Sequence, residues 1–170
     1  LTVAAALILA LAAREQPGPL TTFAQRIGTL GYGLPGALLA IGLYVPVTRA
    51  SGWLLDAAGI ELALGGGLVL LLVAYGVRFT AVAHAPVAGA LLRIRDSHLE
   101  AAQLLGITGL RRLRQVHWPL LRGGLASAAL LVFVDVMKEM PITLMMRPFG
   151  WNTLATRLFE LSNEGQWRAA

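Results

Sequence analysis

IGTLGYGLPGALLAIGLYVPV, residues 27–47, contains no charged residue from end to end. As a helix rising 1.5 Å per residue it reaches about 30 Å, the thickness of the hydrocarbon core of a bilayer. A helix on the surface of a soluble domain shows a polar face every turn or two, and this stretch has none. It therefore reads as a membrane span. Its first half holds Gly31, Gly33, Pro35 and Gly36, which let a backbone bend or let another helix come close, so the span suits the interior of a helix bundle.

The rest of the chain repeats the pattern. Of its 170 residues 56% are apolar and only 14% charged, too few charges to cover a soluble domain of this size. Residues 1–13, LTVAAALILALAA, are apolar without an initiator Met or a basic leader, and read as the end of a longer span; QPGP then makes a turn. Residues 60–80 form another span, uncharged from 62 to 77, with Gly65, Gly66 and Gly67 as a close-packing face and Arg78 near its end, placed to snorkel. The polar link before it carries Trp53 as an interfacial aromatic. The apolar character continues to residue 92, past a possible bend at Pro86. Residues 119–138 form a further span, entered through Pro119 in a first helical turn, with Arg122 free to snorkel back. Residues 141–170 are mixed and read as an extracytoplasmic segment with a short surface helix. A closing span is expected beyond them.

The formal charge of +5 would raise nucleic-acid binding for a soluble protein. Here the basic residues are not interleaved with aromatics and gather between apolar blocks, as they do in loops held on the cytoplasmic side, so no nucleic-acid partner is expected. Nine arginines (14, 26, 78, 93, 95, 111, 112, 114 and 122) fall on the proposed inside, against Arg49, Lys138, Arg147, Arg157 and Arg168 outside. The absence of cysteine excludes disulfides and thiolate metal sites.

The loop at residues 93–118 is distinctive. It holds Arg93, Arg95, Arg111, Arg112 and Arg114 against only Asp96 and Glu100. Within it SHLEAAQLLG predicts a short helix: Ser97 caps the start, Glu100 returns the bond as in a capping box, and Gly106 ends it. Leu99, Ala102 and Leu105 share an approximate face at three-residue spacing. A second short helix through LRRLRQV has Thr108 as its candidate cap. Such a loop fits a partner-docking surface and equally an interfacial helix on anionic lipid.

Glu100, Ala101 and Ala102, then Gly106 after three residues, and Val116, His117, Trp118 and Pro119 nine residues later, resemble the cytoplasmic signature of binding-protein-dependent ABC transporter permeases. Val116 stands for the usual Ile and Trp118 for the usual Leu. LLVFVDVMKEMPITLMMRPFGWNTLATRLFELSNEG and LGYGLPGALLAIGLYVP are similar to segments of ferric-iron uptake permeases within that family. The resemblance implies an all-α partial transmembrane bundle with cytoplasmic coupling helices, multi-pass in a bacterial inner or plasma membrane. It implies the permease role in an ATP-driven importer, of ferric iron first and of thiamine, polyamine, sulfate or phosphonate otherwise. Glu100, Ala101, Ala102, Gly106 and Pro119 would then couple to ATP-binding subunits. An extracytoplasmic solute-binding protein and a second permease half or subunit would complete the assembly in the lipid bilayer.

The membrane subunit of such an importer performs no covalent chemistry and binds no cofactor; ATP is used by the partner subunits. The sequence has no Gly-rich loop followed by Lys-Ser or Lys-Thr that could cradle ATP phosphates. Asp135, Lys138 and Glu139 are candidate pathway or gating residues, because ionisable groups near a span are costly unless paired or hydrated. Asp135 and Glu139 share a helical face, and Lys138 is spaced to pair with Asp135. His84, His98 and His117 lack the spacing of a metal site, and Met137, Met140, Met145 and Met146 read as core fillers. From a different class, a secondary transporter or a structural membrane module would share the spans without an ATPase.

Overall fold

The computed structural model describes residues 1–58, 67–148 and 150–165. All regular structure among them is helical. The helices are α1 (Thr2–Glu15), α2 (Pro19–Leu30), α3 (Gly36–Ala58), α4 (Leu68–Leu92), α5 (Asp96–Leu104), α6 (Gly109–Arg112), α7 (Trp118–Lys138), α8 (Pro141–Met146) and α9 (Leu154–Asn163). Among the described residues three continuous helical stretches are long and apolar enough to cross a membrane: Gly36–Ala57, Leu68–Leu92 and Gly109–Lys138. Of these α4 is the most enclosed by protein. Leu38, Leu72, Leu130 and Phe133 are exposed on them, as expected of side chains that face lipid or further helices.

The chain divides into two compact units, and α4 and α7 contribute to both. The first comprises Leu1–Thr29 and Thr80–Val132. Its core joins Ala6 and Ala10 of α1, Ala83, Val87, Ala90 and Leu91 of α4, and Leu121 and Ala128 of α7. Small side chains set the packing distance. A Cβ on Gly124 would lie 2.4 Å from the Cβ of Ala90 and 3.0 Å from the Pro86 carbonyl, so only glycine admits this approach of α7 to α4.

The second unit comprises Leu30–Phe79 and Phe133–Ala170. Here α3 packs along α8, and Ile142 and Met146 of α8 are buried together with Tyr75 and Phe79 of α4. Helix α9 begins with Thr153 and Thr156 exchanging side-chain and backbone bonds, a capping box with threonine in the usual Glu or Gln place.

Several expectations need correction. The uncharged stretch 27–47 is not one straight helix: after Leu30 the chain tightens into a 3₁₀ turn at Gly31–Gly33, and Leu34 is extended (φ −86°, ψ 138°), as a residue before proline must be. Helix α3 starts afresh at Gly36. In the expected span 60–80, residues 59–66, with Gly65 and Gly66, lie outside the described residues. The helix that follows runs on through Pro86 to Leu92, which puts Arg78 in its interior and not at a snorkelling end. Pro119 does not open a helix: α6 passes through a π turn at Leu113–His117 directly into α7. The wider turn accommodates the donor that proline lacks.

Candidate functional site

The arginine-rich loop folds as two short helices joined by a glycine turn. Helix α5 starts two residues earlier than a Ser97 cap requires: Arg95 is the N-cap with extended backbone, and its side chain makes no capping bond. Ser97 thus sits in the first turn, and the capping box with Glu100 does not form. Asp96 opens the helix instead, a carboxylate at the positive end of the helix dipole.

The other end is well specified. Ile107 N–H donates to the Ala102 carbonyl (2.8 Å) and Gly106 N–H to that of Gln103 (2.9 Å), a Schellman closure with Gly106 at φ 71°. That backbone conformation strains any side chain with a Cβ. Ala102 is buried and Leu99 packs on the core of the first unit, whereas Leu105, at the C-cap, leaves their face and is 76% exposed. Leu104 and Leu110 are more exposed still, at 90% and 83%. Glu100 and Ala101 are exposed on the same short helix, and Pro119 is exposed beyond it. The loop therefore offers three uncovered leucines and a carboxylate on a fixed scaffold. Thr108 is the N-cap of α6 by backbone only.

The second constellation lies in the other unit. The Arg78 Nε stands 3.0 Å from Glu139 Oε2, with side chains only 17% and 8% exposed. Arg78 Nη1 also donates to the Leu34 carbonyl (2.5 Å), in the helix break before α3. Its guanidinium carbon is 5.8 Å from the centre of the Tyr32 ring and 5.9 Å from that of Phe79, within cation–π range. A charge inside a spanning helix is tolerated when paired in this way.

Glu139 is held from the backbone side too. Ile142 N–H, in the first turn of α8, donates to its Oε1 (3.4 Å). Gly36 makes room for the carboxylate, since a Cβ there would lie 2.5 Å from Oε1. The Thr143 hydroxyl donates to the Glu139 carbonyl (2.6 Å), and having one proton it must accept from the Tyr75 hydroxyl (2.5 Å). A fixed polar chain thus runs from Tyr75 through Thr143 to the Glu139 backbone.

Lys138 pairs with Asp135 at 2.7 Å at the end of α7, the lysine largely exposed and the carboxylate largely covered. Helix α7 stops at Lys138, so Glu139 does not share a helical face with Asp135; it turns to Arg78 instead. Sequence reasoning missed that partner. The signal available was a single Arg inside the run from Leu68 to Leu92, which is otherwise uncharged. The histidines lie apart: His84 meets Gln25 at 3.2 Å, buried His117 contacts the Arg112 carbonyl through Nδ1 (3.3 Å), and His98 is exposed. No cluster of three or more His, Cys, Asp or Glu among the described residues could hold a metal ion.

Beyond the spans, Arg147 binds Glu160 (2.6 Å) and the Asn152 side-chain oxygen, tying the end of α8 to α9. The Arg147 hydrogen bond and charge, helped by Arg157, hold the Glu160 carboxyl below the usual carboxylate range against some desolvation.

Three helices long and apolar enough to cross a membrane, two of them joined through a glycine-closed loop of short helices, make this a multi-pass helical membrane chain. The match of residues 3–169 to the family described as "Binding-protein-dependent transport system inner membrane component" is decisive, and the chain belongs to that family. It is 27% identical over its whole length to an Fe(3+)-transport system permease protein of Haemophilus influenzae, of which it covers 32%. Over 78% of its length it is 32% identical to a Salmonella typhimurium protein named as a 2-aminoethylphosphonate transport system permease, of which it covers 48%. The chain thus spans from about a third to about half of these relatives. The family is one of inner-membrane components, and three helices among the described residues are long and apolar enough to cross a membrane.

Proposed function

We propose that the chain is part of the single transmembrane domain of an ABC importer permease, with loop 93–118 in the cytosol and residues 141–170 outside. ATP-binding subunits seat on α5, and their closure is passed to the spans through the loop. The observation that carries this reading is the loop's geometry. Glu100 and Leu104 are exposed on α5, Leu105 at its C-cap and Leu110 on the adjoining α6, while the other face of α5, through Leu99 and Ala102, is packed on the bundle. A surface fixed on one side and apolar on the other can receive a push and transmit it, because packed interfaces switch between arrangements and do not deform continuously. A helix lying on lipid needs no such anchoring.

Glu100, Ala101, Ala102, Gly106 and Pro119 keep their proposed coupling role. Glu139 joins Arg78 as a gating pair, with Asp135 and Lys138 closing the adjacent helix end. A solute-binding protein delivers the cargo from outside, and a second permease half or subunit completes the pathway. The first expectation of ferric iron is widened by the relatives, so the solute is proposed to be ferric ion or a phosphonate such as 2-aminoethylphosphonate.

The test uses the complete transporter. Glu100→Lys is expected to weaken recovery of the ATP-binding subunit with the permease, or to leave ATP hydrolysis running without uptake of ferric ion or 2-aminoethylphosphonate. Wild-type assembly and solute-coupled hydrolysis in that variant would sink the docking role. Labelling of His98→Cys or Gln115→Cys from outside intact cells would sink the orientation.

A further inference from the structure

Two charged residues at the end of α1 grip both halves of the loop, although nothing in the family signature includes them. Arg14 donates through Nη1 to the Leu91 carbonyl and through Nη2 to the Ile94 carbonyl (2.5 Å), and lies 3.2 Å from Asp96. It therefore sits where α4 ends and α5 begins. The Leu91 carbonyl also accepts from Ile94 N–H (3.1 Å), and a cation at this helix end answers the negative end of the dipole. The next residue, Glu15, pairs with Arg112 at 2.5 Å. Arg112 is the last residue of α6, and its carbonyl contacts buried His117 in the π turn that leads into α7.

Arg14, Glu15, Asp96, Leu99, Arg112 and His117 line an open cleft of about 290 Å³, so near the loop charged contacts add to the apolar packing of Leu11 and Leu99 on the common core. Farther from the loop α1 is packed by Ala6 and Ala10 into the core of its unit. An element packed at one end and tied to the loop at the other must move with the loop or lose its ties.

Resting on the permease reading, we propose that Arg14 and Glu15 are positioning residues of the coupling machinery: they make α1 a third element, beside α4 and α7, driven by the ATP-binding subunits. Arg14 holds the entry corner of the loop and Glu15 the exit corner. Cutting either tie leaves docking intact and lets part of the stroke dissipate in the loop.

The experiment is a charge swap in the complete transporter, reconstituted with its ATP-binding subunits and solute-binding protein. Membrane abundance, co-purification of the ATP-binding subunit, ATP hydrolysis, and uptake of ferric ion and 2-aminoethylphosphonate are measured. Glu15→Arg and Arg112→Glu are each expected to assemble and hydrolyse ATP, with the ratio of uptake to hydrolysis down about tenfold, and the double variant to recover to within about twofold. If a charge reversal lowers membrane abundance, Glu15→Gln replaces it, with an expected loss of about threefold in the ratio. The proposal is overturned if assembled single variants keep the wild-type ratio, or if the double variant is no better than the singles. The permease reading fails separately, if the wild-type assembly neither retains ATP-binding subunits nor hydrolyses ATP.

Discussion

Replacing Arg78 with leucine leaves the Glu139 carboxylate, 8% exposed, without its cation in the interior of the fold. Removing one partner of a buried ion pair costs about 3–5 kcal/mol, because the remaining charge is left unanswered. The hydrogen bond from Nη1 to the Leu34 carbonyl is lost as well, worth about 1 kcal/mol more. For a domain of 150–250 residues each kcal/mol shifts the midpoint by about 2–4 °C, so a fall of about 10–20 °C is expected. The assay is the fraction of permease that remains monodisperse in detergent after stepwise heating. Arg78→Leu combined with Glu139→Leu removes both charges, and well-packed apolar replacements of buried pairs are often neutral or stabilising. The double variant still loses the bond to the Leu34 carbonyl, so it should melt about 2–4 °C below wild type, roughly a 1 kcal/mol window, yet move less solute, because the proposed gate is gone. A single variant that loses less than this window, or a double variant as unstable as the single, would refute the energetic reasoning. A stable double variant with full uptake would reduce the pair to a structural role.

Four further outcomes follow from the same geometry. Gly31→Ala should destabilise by about 1–3 kcal/mol, since its Cβ would meet the Val77 carbonyl oxygen at 2.1 Å, while Gly33→Ala meets nothing within 4 Å and should be neutral in the same heating assay. Gly106→Val forces a β-branched residue to φ 71° at a cost of about 1–2 kcal/mol or more, and should release the ATP-binding subunit during purification more than it lowers permease abundance. Arg78→Lys keeps the charge but not the planar fork, so its midpoint should fall between those of wild type and Arg78→Leu. Arg147→Gln should return the Glu160 carboxyl toward its ordinary range, followed by carbon NMR of labelled glutamate. In the wild type that folded value is depressed, so the stabilisation from the α8–α9 tie is present above the ordinary carboxylate range and is lost as pH falls through the depressed value.

The apolar blocks were legible because a bilayer demands length and lack of charge, and both are local properties of sequence. Gly106 was legible for a similar reason: a helix that ends on glycine uses a backbone conformation that few other residues adopt. The break before α3 was legible only as a permission, since Gly31, Gly33 and Pro35 allow a bend without saying where the helix stops. The start of α5 was misjudged because Ser97 and Glu100 match a capping pattern, whereas the corner is fixed by Arg14 from another helix. Arg78 and Glu139 are 61 positions apart with no periodicity linking them, so their pairing depends on tertiary structure. The π turn leaves no mark of its own in sequence apart from Pro119, which also suits a helix start.

The helix break and the buried pair explain each other. Non-helical backbone at membrane depth persists only where protein or water satisfies its polar groups. Pro35 and the extended Leu34 interrupt the ladder there, and Arg78 supplies a donor to the Leu34 carbonyl. A guanidinium in that position needs an anion, which Glu139 provides just past the end of α7, where the chain has turned toward α8. Gly36, the first residue of α3, has to lack a side chain for that carboxylate to fit. Break, cation, anion and glycine therefore form one dependent set, joining the start of α3, the interior of α4 and the link between α7 and α8. An arrangement in which three helices share a single buried ion pair cannot shift in one place alone, and that is the property a gate requires.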